Sequence, residues 1–120
     1  RNELAKIYDQ NLKNLPLILP RTDKIFFNAY HLYPIRLKSS DKKNRLKLFN
    51  FLKKKDISVN IHYIPIYIHP YYKKLGFNKK NYPNNNIYYD TAMSIPLFPN
   101  LKKKEVFKVI NNIKIFFNEK

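Results

Sequence analysis

Apolar positions along this chain follow two rhythms, one helical and one extended. Leu4, Ile7, Tyr8, Leu12 and Leu15 fall at helical spacing, and Pro16 ends the run. Pro20 and Asp23 mark an irregular connection. Residues 28–37 are rich in aromatic and branched side chains and read as a strand, in which Pro34 places a bulge or an edge. Ser39, Ser40 and Asp41 offer N-caps for a helix that carries Leu48, Phe49 and Leu52 and stops at Asp56. Residues 57–63 alternate with period two: Ile57, Val59, Ile61 and Tyr63 share one face, Ser58, Asn60 and His62 the other, which predicts a second strand. Residues 65–83 read as a long loop with one helical turn at 71–75, closed by Gly76. A short helix is expected after Pro83, and residues 94–98 read as a third short strand, with Pro96 within it and Pro99 just after it. Val106, Val109, Ile110, Ile113 and Phe117 make one apolar helical stripe.

That order predicts an α/β fold, a small three-stranded sheet with packed helices, the last helix lying on the sheet. A length of 120 residues fits a single domain over 1–120, with neither an internal repeat nor a dividing linker. The longest apolar stretch, 63–72, is broken by Pro65, His69 and Pro70, so no segment reads as a membrane span, and a cytoplasmic protein is expected. The chain holds no cysteine, which excludes disulfides and thiolate metal sites. It begins at Arg1 and reads as helix by Glu3 and Leu4, so the expectation is a piece of a longer protein.

A formal charge of +16 raises the question of nucleic acid, since basic side chains neutralise phosphates. Only 4 of the 24 basic residues are arginine, the residue that bidentate phosphate contacts and base readout favour. Lys, Asn, Ile, Tyr and Phe, all with AT-rich codons, supply 69 of the 120 residues. Genome bias placing lysine on solvated faces accounts for the charge without a binding stripe. No nucleic-acid partner is therefore expected, and a standalone basic module for nucleic acid or an acidic protein stands as the alternative reading.

Three stretches carry a family likeness. The first is His31-Leu32-Tyr33-Pro34-Ile35-Arg36. The second is Asn60-Ile61-His62-Tyr63-Ile64-Pro65, continuing through His69-Pro70-Tyr71-Tyr72 to Leu75-Gly76-Phe77. The third is Ser94-Ile95-Pro96-Leu97-Phe98-Pro99. Together, in order and in register, they resemble the C-terminal small domain of the DegT/DnrJ family of sugar-nucleotide aminotransferases, in particular the branch that makes a 4-amino sugar nucleotide on the route to pseudaminic acid. The chain departs from the family pattern at Asp56, where Gly is common, and at Tyr67, where His is frequent. Asn86 stands in place of Glu, and Lys102 in place of a capping Thr or Ser.

The resemblance implies a fold-type-I enzyme that uses pyridoxal 5'-phosphate (PLP) to move an amino group from glutamate to C4 of a UDP-4-keto-6-deoxy amino sugar. It implies active sites at a homodimer interface. It also implies that the Schiff-base lysine and most of the PLP contacts belong to a separate N-terminal large domain, so this chain is expected to carry no catalytic residue and, alone, to be inactive.

With that resemblance, the residues expected to bind substrate are His31, Arg36, Asn60, His62, Tyr63, His69 and Tyr71. His62 lies on the polar face with Asn60 where a strand enters a loop, the place where α/β folds gather ligand groups. A structural histidine bonded to a carbonyl is the plain alternative. His31 and Arg36 are five residues apart and point to opposite faces of a regular strand. For Arg36 the stronger reading is a structural ion pair. The tyrosines of 63–72, with His69, either line a pocket for a base, a diphosphate or sugar hydroxyls, or pack the loop on the sheet. His31, His62 and His69 lack a carboxylate pair at ligand spacing, so no metal site is expected. Nucleophile-elbow and cysteine-nucleophile patterns are missing as well.

Overall fold

In the computed structural model, residues 1–21, 25, 27–39 and 42–118 are described. Helix α1 (Asn2–Leu12) presents Leu4, Ala5, Tyr8 and Leu12 on one buried face. Strands β1 (Leu17–Ile18) and β2 (Tyr33–Leu37) follow, then α2 (Lys42–Lys54), α3 (Pro70–Lys74), α4 (Pro83–Thr91), β3 (Ala92–Ile95) and α5 (Lys103–Asn118). Short 3-10 turns occupy Ile66–Ile68 and Lys79–Asn81.

The α/β class, the three-stranded sheet and the helix positions agree with the sequence pattern. The identity of the strands does not. The sheet runs β1-β2-β3, antiparallel throughout, with Leu17 opposite Leu37 and Tyr33 opposite Ile95. Residues 57–63, expected as a strand, are extended but pair only once, where Asn60 and Ser94 exchange both backbone bonds (3.1 and 2.8 Å). The next partners along that ladder would be Pro96, which stands opposite Ser58 and has no N–H to give, and Ala92, opposite His62, whose N–H already closes α4 on the Tyr88 carbonyl. The expected strand 28–37 is shorter too. Asn28 Oδ1 accepts from the Tyr30 N–H (2.8 Å), and Tyr30 turns left-handed at φ 48, so β2 starts only at Tyr33. Strand β1 reaches no further along β2 than Arg36, so Pro34 lies beyond its end, where a missing donor costs little.

One apolar core joins the elements. Tyr33, Ile35, Leu37, Met93 and Ile95 from the sheet meet Leu48 and Leu52 of α2 and Val106, Val109, Ile110 and Ile113 of α5. Burying each such aliphatic side chain is worth about 1.5–3 kcal/mol. Helix α5 packs between α1 and α2, and α4 against α2 and β2. Tyr8 and Tyr33 touch ring to ring (5.0 Å), and their hydroxyls donate to the Pro96 carbonyl (2.9 Å) and to Asp9 (2.5 Å).

Helix ends follow local rules. At α2, the Asp56 N–H reaches the Lys53 carbonyl and the Ile57 N–H the Leu52 carbonyl (both 3.1 Å), with Asp56 left-handed at φ 55. This is a Schellman cap with Ile57 packed into the same core as Leu52. Helix α3 ends alike, with Gly76 at φ 90 and Phe77 edge-on to Tyr72. At α5 the Lys102 side chain cannot cap, but Glu105 accepts from the Lys102 N–H (2.8 Å), half of a capping box. Of the proposed caps for α2, Ser40 and Asp41 lie outside the described residues; the Ser39 hydroxyl accepts from Asn44 (3.3 Å).

Candidate functional site

Side chains alternate across a strand, and antiparallel partners point to the same side. Tyr33, Ile35, Met93 and Ile95 face the core, so Pro34, Arg36, Ala92 and Ser94 face away from it. The Asn60–Ser94 bridge sets Asn60 on this second face. Two residues on, the His62 ring places Nδ1 3.0 Å from Ser94 Oγ. Ser58, Asn60, His62 and Ser94, with Leu32 and the chain from Ile95 to Phe98, line a cleft of about 210 Å³.

Ser94 is nearly buried, whereas Asn60 is exposed and His62 half-buried. With Nδ1 engaged by the serine, Nε2 is the His62 nitrogen left for a ligand. It donates when Nδ1 accepts from the hydroxyl and accepts when Nδ1 donates. The peptide bond to Tyr63 is cis, and the Tyr63 ring stands edge-on to the imidazole (centroids 4.8 Å apart) while remaining 75% exposed. Sequence reasoning brought Asn60, His62 and Tyr63 together. It missed Ser94 as their partner, because two residues 32 positions apart give no local signal.

The other predicted residues lie elsewhere. His31 is exposed in the bend before β2 and does not line this cleft. His69 and Tyr71 are exposed around the start of α3, with Tyr71 edge-on to Tyr72. Arg36 shares the second face of the sheet. It does not form the expected ion pair among the described residues: its guanidinium lies over Tyr88 (5.7 Å), and Nε is buried without an acceptor. Within 63–72, Tyr67 alone of the tyrosines is buried. It stacks on Tyr82 (4.9 Å, 8°) and donates to Asn86 Oδ1 (2.5 Å). Burial, then the charge of Asp90, raises the Tyr67 pKa above the usual tyrosine range. Tyr67 and Asn86, two of the departures from the family pattern, are thus partners. A second cleft of about 250 Å³ opens between Tyr67, Tyr82, Phe77, Pro65, Ile66 and Asn85.

A buried cation also escaped the sequence reading. Arg45 is 1% exposed, its Nε and Nη1 without acceptors among the described residues and its guanidinium over Tyr89 (5.3 Å). The signal was there: Arg45, Leu48 and Leu52 share the i, i+3, i+7 stripe of α2.

Among the described residues no group of three or more His, Asp or Glu converges on a metal position. PLP makes its own demands on the residues that seat it. That cofactor needs a lysine amine with a depressed pKa, a carboxylate at the pyridine nitrogen and a cup of donors for the phosphate. Every described lysine is exposed except Lys114, which is half-buried on α5, and the sole glycine closes α3. The described residues do not make that seat. No helix among them is long and apolar enough to cross a membrane.

The sequence model of the DegT/DnrJ/EryC1/StrS aminotransferase family matches residues 1–114. The uncharacterized protein MJ1066 of Methanocaldococcus jannaschii is 37% identical over 99% of this chain and 32% of its own length. The spore coat polysaccharide biosynthesis protein SpsC of Bacillus subtilis is 32% identical over 95% of this chain and 30% of its own. A UDP-4-amino-4,6-dideoxy-N-acetyl-beta-L-altrosamine transaminase of Campylobacter jejuni is 28% identical over 95% of this chain and 32% of its own. Spr1654 of Streptococcus pneumoniae, solved in its PLP form, superposes with a TM-score of 0.91 at 24% identity, over 98% of this chain and 30% of that one. The chain spans about a third of the length of the curated relatives it matches.

Proposed function

Because the chain belongs to the DegT/DnrJ/EryC1/StrS aminotransferase family, we propose that it is the C-terminal small domain of a PLP-dependent sugar-nucleotide aminotransferase. The whole enzyme, a cytoplasmic homodimer, moves an amino group from glutamate to C4 of a UDP-4-keto-6-deoxy amino sugar for surface-glycan synthesis of the pseudaminic acid type. The transaminase relative supports this substrate class. PLP, held mainly by the large domain, supplies the means of carrying the amino group.

The observation that carries the reading is the cleft around His62. A polar edge of Asn60, His62 and Ser94 sits beside an exposed tyrosine ring, with one imidazole nitrogen uncommitted. In this account His62 Nε2 and the Asn60 amide bind polar groups of the nucleotide sugar, and Tyr63 covers a face of it. Ser94 holds the imidazole in orientation, a positioning role. Arg36, half-buried on the same face, adds positive charge toward the diphosphate. His31, His69 and Tyr71, outside the cleft, reach substrate only where the rest of the dimer brings it to them.

The test is kinetic. In the intact enzyme, His62→Ala lowers kcat/KM for the keto sugar roughly 10- to 100-fold, the loss of one or two hydrogen bonds to substrate, with little change in thermal stability. Tyr63→Phe acts in the same direction. Equal loss of fold and turnover would return His62 to a structural role.

A further inference from the structure

Residues 60–90 contain a single buried side chain, Tyr67; every other position is exposed or half-buried. A segment this long with one buried anchor depends on what holds that anchor. The Tyr67 ring stacks on Tyr82 and its hydroxyl donates to Asn86 Oδ1 (2.5 Å). The same amide uses its other end, where Asn86 Nδ2 donates to the Lys79 carbonyl (2.9 Å). One side chain of α4 thus fastens both 3-10 turns, Ile66–Ile68 through Tyr67 and Lys79–Asn81 through Lys79. An amide suits this place because it accepts and donates at once, which neither a carboxylate nor an aliphatic side chain can do.

The Ile66–Ile68 turn begins three residues after Tyr63, with Pro65 between them. Tyr63 has no burial of its own to hold it, and among the described residues its ring leans only on that of His62. The direction in which the chain leaves His62 is therefore set where Tyr67 is anchored. We propose that Asn86 is a positioning residue of the His62–Tyr63 site: through Tyr67 it fixes the loop that holds Tyr63 against His62, which lines the cleft. This deepens the proposed function, since it takes that cleft as the substrate-facing one. The pair is uncharged, so the fastening persists across neutral pH.

The experiment reads loop position directly, so it stands apart from any assay of amino transfer. In the intact protein that carries this chain, hydrogen exchange is followed by peptide while a 3-fluorotyrosine at position 63 reports on its ring. Tyr67→Phe keeps the stack and removes only the hydroxyl. It should speed exchange over 64–69 roughly tenfold, as expected for one hydrogen bond lost with its acceptor stranded, and leave α5 unchanged. Asn86→Leu should do the same and also free 79–82. Asn86→Asp keeps an acceptor for Tyr67 and should loosen 79–82 alone. In the first two variants the fluorine line should shift and broaden, and Tyr67→Phe combined with Asn86→Leu should add nothing to Asn86→Leu. An unchanged fluorine line beside a loosened loop would overturn the positioning role. Uniform acceleration through α5 would mean that Asn86 supports the fold as a whole, and would equally overturn it.

Discussion

Replacing Asp56 with glycine should stabilise this fold, although glycine weakens a helix interior. Asp56 sits at φ 55 in the Schellman cap of α2, and its backbone N–H bonds the Lys53 carbonyl (3.1 Å) whatever the side chain. Holding an L-residue in the left-handed region costs about 1–2 kcal/mol, toward the lower end for Asp. Glycine escapes that cost but loses about 0.5–1 kcal/mol more backbone entropy on folding. The carboxylate lies at the negative end of the helix dipole, which disfavours it, next to Lys53, Lys54 and Lys55, which favour it, and these terms largely cancel. The side chain is exposed, so no packing is lost. Asp56→Gly should therefore gain up to about 0.5 kcal/mol, a rise in Tm of at most about 2–4 °C. Asp56→Ala is the control, because it also removes the carboxylate while keeping the strained φ. It should fall below Asp56→Gly by about 0.5–1 kcal/mol in denaturant or thermal unfolding, the left-handed cost less the entropy that glycine gives up. Alanine and glycine variants of equal stability would refute the reasoning, since the backbone angle is then not what position 56 selects for.

Two further outcomes follow from the core and from the lysines. Burial raises the pKa of Tyr8, and burial followed by its bond to Asp9 raises that of Tyr33. These acids are held neutral in the fold, so their contribution is fully present below the unfolded tyrosine pKa of about 10 and is lost as pH rises through the folded values. Unfolding midpoints should hold level up to about pH 9 and drop steeply above about pH 10, and Tyr33→Phe should flatten that drop; an equal drop in the variant would rule out this tyrosine as its source. The 120-residue chain alone should release no 2-oxoglutarate from glutamate and bind PLP only weakly at scattered sites, because its described lysines lie at the surface, all but Lys114 exposed, with no seat for the pyridine ring and phosphate around them. Tight stoichiometric PLP binding would move the cofactor's seat into this chain.

Helices were the legible part of this fold, because a 3.6-residue stripe and its caps are local. The α5 stripe, the Gly76 stop and the left-handed stop at Asp56 all stand where the pattern put them. Strand pairing was less legible. The alternation at 57–63 is real in its burial at Ile57, Ser58, Val59 and Asn60, but whether an extended segment pairs depends on its neighbour. Here the neighbour runs into Pro96, while the two-residue β1, too short to show a period, completes the sheet. For the site, the polar face of Asn60 and His62 could be read from parity alone. The Ser94 partner, the Asn86 fastening and the Arg36–Tyr88 stack arise from chain segments far apart, and only the fold joins them.

The central claim is that this chain serves amino transfer to a nucleotide sugar. The most direct measurement mixes the intact protein that carries it with PLP, isotopically labelled glutamate and a UDP-4-keto-6-deoxy amino sugar, and weighs the sugar product. The account predicts labelled nitrogen at C4 of the sugar nucleotide, with 2-oxoglutarate released in equal amount. Unaltered keto sugar under saturating PLP and glutamate, with the protein instead retained on DNA in a steeply salt-dependent way, would contradict it.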